Sequence, residues 1–144
     1  MRQINRVAVL GAGGMGATIA AHLANAGLDV LLRDMVPKAL NGEEEAAGLS
    51  LDTPQVSNRI AATGLAGLLK MEPAPPYLQE YASQIEVGNF DDDLPRLKAC
   101  DWVIEVVIEH LPTKQSLFEK VVPHLTPGTI LSTNTSGLSV NAMA

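Results

Sequence analysis

Short apolar runs alternate with stretches of helical periodicity through most of this chain. The run at 7–10, Val-Ala-Val-Leu, is small, branched and uninterrupted, as expected of a strand covered on both faces of a parallel sheet. Residues 14–26 are rich in alanine, with Met15, Ile19, Leu23 and Ala26 at helical spacing and Gly27 as a stop, which predicts a helix. Residues 28–34 again read as a strand, and Pro37 marks a turn or the first turn of another helix. Strand, helix and strand fit within about 30 residues, the length of a βαβ unit.

The stretch 38–83 breaks this rhythm with Glu43-Glu44-Glu45, helical pieces near 55–70 and a Pro73-Ala74-Pro75-Pro76 interruption, and it reads as a helical excursion. Alternation then resumes: a strand at 85–87, a short helix at 94–99 and a strand at 102–107. Thr113 is expected to cap a helix through Leu117, Phe118, Val121 and Val122 that weakens at Pro123, and residues 129–132 supply one more strand. No repeat or low-complexity linker divides the chain, so residues 1–144 are expected to form one domain. The pattern predicts an α/β fold of the Rossmann type, a doubly wound parallel sheet with a helical excursion after its second strand.

Composition narrows the partners. The net charge is −6, and the 10 Lys and Arg are spread through the chain, so nothing marks a nucleic-acid surface. Apolar stretches fall far short of the roughly 20 residues of a membrane helix, and no membrane partner is expected. The basic start at Arg2 and Arg6 leads into a strand-like run and glycines rather than a cleavage site. Cys100 is the single cysteine, so an internal disulfide is excluded and a cytoplasmic setting is expected. His22, His110, His124 and Cys100 show no ligand spacing, and no metal is expected.

The candidate chemistry begins at Gly11-Ala12-Gly13-Gly14-Met15-Gly16, which has the spacing G-x-G-x-x-G. Three glycines prove little in a chain holding 12, but these follow a predicted strand, open a predicted helix and precede an acid, Asp34, at the end of the second strand. Gly11 permits the tight turn, Gly13 the approach of backbone to a pyrophosphate, and Gly16 close packing of helix on sheet. The helix N-terminus offers free N–H groups and partial positive charge, so an acidic chain can bind this anion without lysine. Asp34 can accept from the adenosine ribose hydroxyls and would repel a 2'-phosphate, which favours NAD over NADP. Arg33 leaves NADP as a minor alternative, although neighbours along a strand point to opposite faces. FAD remains open as well, because flavoproteins share this first unit.

The second half carries a resemblance. Residues Asp101 to Glu109, then Lys114, Phe118 and Asn134-Thr135-Ser136, closely resemble the NAD domain of 3-hydroxyacyl-CoA dehydrogenases. The match is weakest at 38–83, where the short dehydrogenases of that family carry a lysine-rich hairpin that helps hold CoA. The segment Asn58-Arg59 through Lys70 to Pro76, and then Glu86 to Phe90, looks more like the large bacterial forms fused to an enoyl-CoA hydratase-like region. The resemblance implies that Glu109 and Lys114 lie at the nicotinamide-ribose end of NAD. It implies that Ser136 contacts substrate near the reacting 3-hydroxyl and that Asn134 belongs to the same loop. It also implies a histidine base, oriented by a glutamate, later in the family's chain than Ala144, together with a helical C-terminal domain that carries much of the contact in a homo-oligomer.

The expected function is therefore the cofactor-domain part of an oxidoreductase that converts 3-hydroxyacyl-CoA to 3-oxoacyl-CoA in fatty acid β-oxidation, with acyl-CoA as substrate. This chain alone is expected to bind NAD without turnover. Two alternatives stay open at this point: a stand-alone NAD-binding or sensing module, and a dehydrogenase of free 3-hydroxy acids.

Overall fold

A computed structural model describes residues 3–71 and 78–144, so the proline-rich break at 73–76 lies outside the described residues. The opening unit is β1 (Arg6–Leu10), α1 (Gly14–Asn25) and β2 (Asp29–Asp34). The excursion supplies α2 (Gly42–Ala46), α3 (Pro54–Ser57), α4 (Arg59–Leu69) and α5 (Leu78–Tyr81). After it come β3 (Ile85–Asn89), a 3-10 helix at Leu94–Ala99, β4 (Trp102–Glu105), α6 (Leu111–Val121), a 3-10 turn at Val122–His124, β5 (Ile130–Thr133) and α7 (Val140–Met143).

The sheet has the order β3-β2-β1-β4-β5, and every pair is parallel. The chain winds outward from β1 through β2 to β3 and then crosses to β4 on the other side. A switch point therefore lies between the ends of β1 and β4, where open sheets of this kind place ligands. Strand parity divides the core. Val9, Val30, Leu32 and Ile85 pack with the alanines of α1 and with α4 on one face. Ala8, Leu10, Leu31 and Val103 pack with Leu94, Leu97, Leu117 and Val121 on the other.

Three local expectations are corrected. The buried face of α1 is Gly16, Ala17, Ala20, Ala21 and Ala24, while Met15 is 60% exposed and Ala26 is exposed; Ile19 and Leu23 pack only at the margin. The contact stripe is drawn in small residues, whose methyl groups fill the space between helix and sheet. Thr113 does not cap α6. The helix starts earlier, with Pro112 in the first turn, where a missing N–H costs nothing, and Thr113 Oγ1 instead contacts His110 Nδ1 at 2.8 Å. β4 ends at Glu105 rather than at 107, because the Val107 amide donates to the Glu105 carboxylate at 2.7 Å instead of continuing the ladder.

Candidate cofactor site

The glycine loop is shaped by contacts that exclude side chains. Gly11 has φ +113°, and a Cβ there would lie 2.5 Å from the Val106 carbonyl oxygen. A Cβ on Gly16 would lie 1.8 Å from the Gly11 carbonyl oxygen, so α1 can start where it does only without one. At Gly13, by contrast, a Cβ would meet nothing within 4 Å. Gly13 is also the N-cap of α1, which no side chain caps and whose first turn holds no acid. Open space thus faces a helix N-terminus with uncapped N–H groups, an arrangement that fits a pyrophosphate.

The loop is tied to the second strand. Ala12 N donates to Asp34 Oδ2 at 2.6 Å and Met35 N donates to Oδ1 at 2.7 Å, which fixes the carboxylate at the loop's edge. Each oxygen keeps capacity for a further donor, so two ribose hydroxyls can still be accepted. Arg33 points the other way, as parity requires. It is 0% exposed, donates to the Glu86 carbonyl at 2.6 Å and to Glu86 Oε1 at 2.8 Å, and approaches Asp93 Oδ2 at 3.8 Å. Burial lowers its pKa from the ordinary value, against the pull of Asp93. Arg33 therefore offers nothing to a 2'-phosphate beside Asp34.

Gly11, Ala12, Gly13 and Asp34 line one groove of about 1220 Å³, and the opposite walls come from Ile60, Thr63 and Gly64 of α4 and from Val106 to Ile108 beyond β4. That volume exceeds the roughly 300–1,000 Å³ of an ordinary small-molecule site, as an elongated ligand needs. Sequence reasoning did not find α4 as a wall. A Cβ on Gly64 would lie 2.1 Å from the Ala12 carbonyl oxygen, so this helix touches the glycine loop directly. The signal available was a glycine in the middle of a helical pattern, which has a packing reason more often than a flexible one.

The second cluster stands past the ends of β4 and β5. Glu109 Oε1 accepts from the Thr135 hydroxyl, from Ser136 N at 3.2 Å and from Gly137 N at 3.1 Å. These hydrogen bonds, led by Thr135, lower its pKa to about 2, and Lys114 adds to the effect. Ser136 and Asn134 are exposed, and Asn134 N donates to the Glu105 carbonyl at 2.8 Å. Lys114 is 0% exposed, with Nζ 2.7 Å from Glu105 Oε1, 3.3 Å from the Val107 carbonyl and 3.5 Å from Glu109 Oε2. Its ammonium thus lies beneath Glu109 rather than in the open groove. The structure brings Glu109, Lys114 and Ser136 together, and the Gly11–Val106 approach joins them to the glycine loop.

Among the described residues no group of His, Cys, Asp and Glu could hold a metal ion, and no helix is long and apolar enough to cross a membrane.

Comparison with known proteins agrees with this geometry. The chain is 48% identical over 143 residues to a probable 3-hydroxyacyl-CoA dehydrogenase of Bacillus subtilis, covering 99% of this chain and 18% of that protein. It is 34% identical to a putative fatty acid oxidation complex trifunctional enzyme of Rickettsia felis, covering 98% of this chain and again 18% of the relative. The crystal structure of 3-hydroxybutyryl-CoA dehydrogenase from Escherichia coli K12 superposes with a TM-score of 0.63 at 30% identity, over 99% of this chain and 27% of that one. Residues 6–144 match the family model described as 3-hydroxyacyl-CoA dehydrogenase, NAD binding domain, and the chain belongs to that family.

Proposed function

We propose that this chain is the cofactor domain of a larger NAD-dependent enzyme that oxidises 3-hydroxyacyl-CoA thioesters to 3-oxoacyl-CoA. The observation that carries the reading is the convergence of the glycine loop, Asp34 and the open space at Gly13 on one groove. Gly11 to Gly16, with Ala12, Gly14 and Met15 among them, receive the pyrophosphate on the α1 N-terminus, and Asp34 receives the adenosine ribose. Bound NAD would supply the hydride acceptor. The chain's own residues would then work at the other end of the crevice. Glu109 shapes the nicotinamide-ribose end and Lys114 supports it from below. Ser136, whose amide is held by Glu109 and whose side chain is exposed, hydrogen-bonds the substrate's 3-hydroxyl, and Asn134 lines the same loop. Hydride transfer needs no nucleophile from the protein, so Ser136 orients rather than attacks. His110 is engaged with Thr113, and the proton acceptor is assigned to the remainder of the enzyme.

The full-length enzyme is proposed to be a cytoplasmic homo-oligomer acting on acyl-CoA, without nucleic-acid or membrane partners. The test is NADH formation by the full-length chain on a 3-hydroxyacyl-CoA thioester and on the free 3-hydroxy acid, with calorimetric titration of NAD, NADP and FAD. Turnover of the thioester with tight NAD binding is expected. Turnover of the free acid alone would move the substrate class, and preferential FAD binding would overturn the cofactor.

A further inference from the structure

One layer below the crevice, the register aligns Gly88, Arg33, Leu10, Glu105 and Thr133 across the sheet on the face that carries α6. Glu105 stands near the middle of that row and is 0% exposed. A carboxylate there is very costly unless every lone pair finds a donor. Its partners come from three directions. Oε1 accepts from Lys114 Nζ of α6 at 2.7 Å and from Val107 N at 2.7 Å, at the start of the loop that carries Glu109. Oε2 accepts from the hydroxyl of Thr133, the last residue of β5 and the one that precedes Asn134. The Glu105 carbonyl then takes the Asn134 amide at 2.8 Å. One buried residue is therefore bonded to both loops assigned above to the reacting end of the proposed enzyme, and to the lysine that sits 3.5 Å from Glu109.

We infer that Glu105 is a positioning residue for the proposed oxidation: it sets the loop bearing Glu109 and the loop bearing Asn134 and Ser136 at a fixed distance from each other. The inference rests on the function proposed above. Glu105 touches neither substrate nor cofactor and acts only through Lys114, Val107 and Thr133. Its two oxygens divide the work. The Oε1 side governs Glu109 and through it the cofactor end. The Oε2 side governs the exit of β5 and through it Ser136.

That division makes the role separable from mere stability. In the full-length chain, Thr133→Val removes the Oε2 contact and leaves the ion pair in place. It should lower kcat about tenfold with KM for NAD within about twofold, since a displacement of about 1 Å at a reacting group costs rates of this size or more. Glu105→Gln disturbs both sides and should lower kcat and raise KM for NAD together. Hydrogen exchange gives a readout that does not need turnover: Ser136 and Gly137 amides should exchange about tenfold faster in Thr133→Val, with amides of β1 and β2 unchanged. If Glu105→Gln does not fold, Thr133→Val decides alone. Unchanged kcat and exchange in Thr133→Val, or exchange that rises equally at β1, would overturn the inference and leave Glu105 a structural ion-pair member. A wild-type chain that turns over no thioester would sink the proposed activity, whereas the exchange measurement would still report whether Glu105 holds the loop.

Discussion

Gly64 offers a sharp test of the groove because a second glycine in the same helix serves as its control. A Cβ at Gly64 would lie 2.1 Å from the Ala12 carbonyl oxygen and 3.1 Å from the Ala12 Cβ, whereas a Cβ at Gly67 would meet nothing within 4 Å. Both substitutions to alanine gain helix propensity of about 0.8–1 kcal/mol. At Gly67 nothing opposes that gain, and Gly67→Ala should raise Tm by a few degrees, about 3–5 °C per kcal/mol for a domain of this size. At Gly64 the contact must open by about 1.3 Å to reach ordinary van der Waals distance, an overpacking cost of about 1–3 kcal/mol that outweighs the gain.

Relief at Gly64 comes from moving α4 or the glycine loop, and the loop movement has a second consequence. Ala12 is held to Asp34 by a 2.6 Å bond, so displacing it disturbs together Asp34 and the glycine turn, the proposed contacts of the ribose and the pyrophosphate. Gly64→Ala should therefore weaken NAD about tenfold, equivalent to about 1.4 kcal/mol, while Gly67→Ala leaves the dissociation constant within about twofold. Calorimetric titration and thermal unfolding of the two variants read both quantities. If Gly64→Ala raises Tm as Gly67→Ala does and binds NAD normally, α4 is not a wall of the site and the close-approach argument is refuted.

Asp34→Ala should weaken NAD by at least about tenfold without creating NADP binding, because Arg33 is buried and engaged by Glu86; a gain in NADP affinity on titration would contradict this. The Glu109 pKa is lowered from 4.5 to about 2, so its hold on the Ser136 and Gly137 amides is complete above pH 4.5 and is lost as pH falls toward about 2; pH-resolved exchange should show that window, and Glu109→Gln should abolish it. Lys114→Met strands the buried Glu105 carboxylate and should destabilise the domain by about 3–5 kcal/mol in urea titration, with a change under about 1 kcal/mol counting against the pair as drawn. Burial pushes the Cys100 thiol up to about 11, so alkylation at pH 8 should be slow in the folded chain and fast in urea; rapid labelling of native protein would show that the 94–99 helix does not cover it.

The alternation of runs revealed the strand order along the chain and the excursion after β2, because strands buried on both faces leave uninterrupted apolar stretches. The buried face of α1 was not legible. The apolar stripe through Met15 and Leu23 suggested large contacts, but the face turned to the sheet is Ala17, Ala20, Ala21 and Ala24. The meeting of Gly11, Gly16 and Asp34 at one loop could be read because their spacing is local to one βαβ unit. Gly64 could not, since its partner, Ala12, lies in a distant part of the chain and nothing in the pattern of α4 names it.

The acids illustrate why register matters more than spacing. Asp34 and Glu105 each end a strand, yet one faces the groove and the other is buried. Leu10 pairs with both Arg33 and Glu105, so Asp34 stands one residue past the row that holds Glu105 and points to the opposite face. A single residue step thus decides whether an acid at a strand end faces the groove or a buried lysine. The available clue to Glu105 was its position in the apolar run 102–107, where a charge must be paired if the strand is buried, and Lys114 lies nine residues on. Glu109, four residues beyond the strand, escapes the sheet's parity altogether and is free to reach across to the loop after β5. The groove and the Glu109 bridge to the loop after β5 follow from the same rule: side chains within the sheet are assigned by parity, and those past its edge by the loops they can bridge.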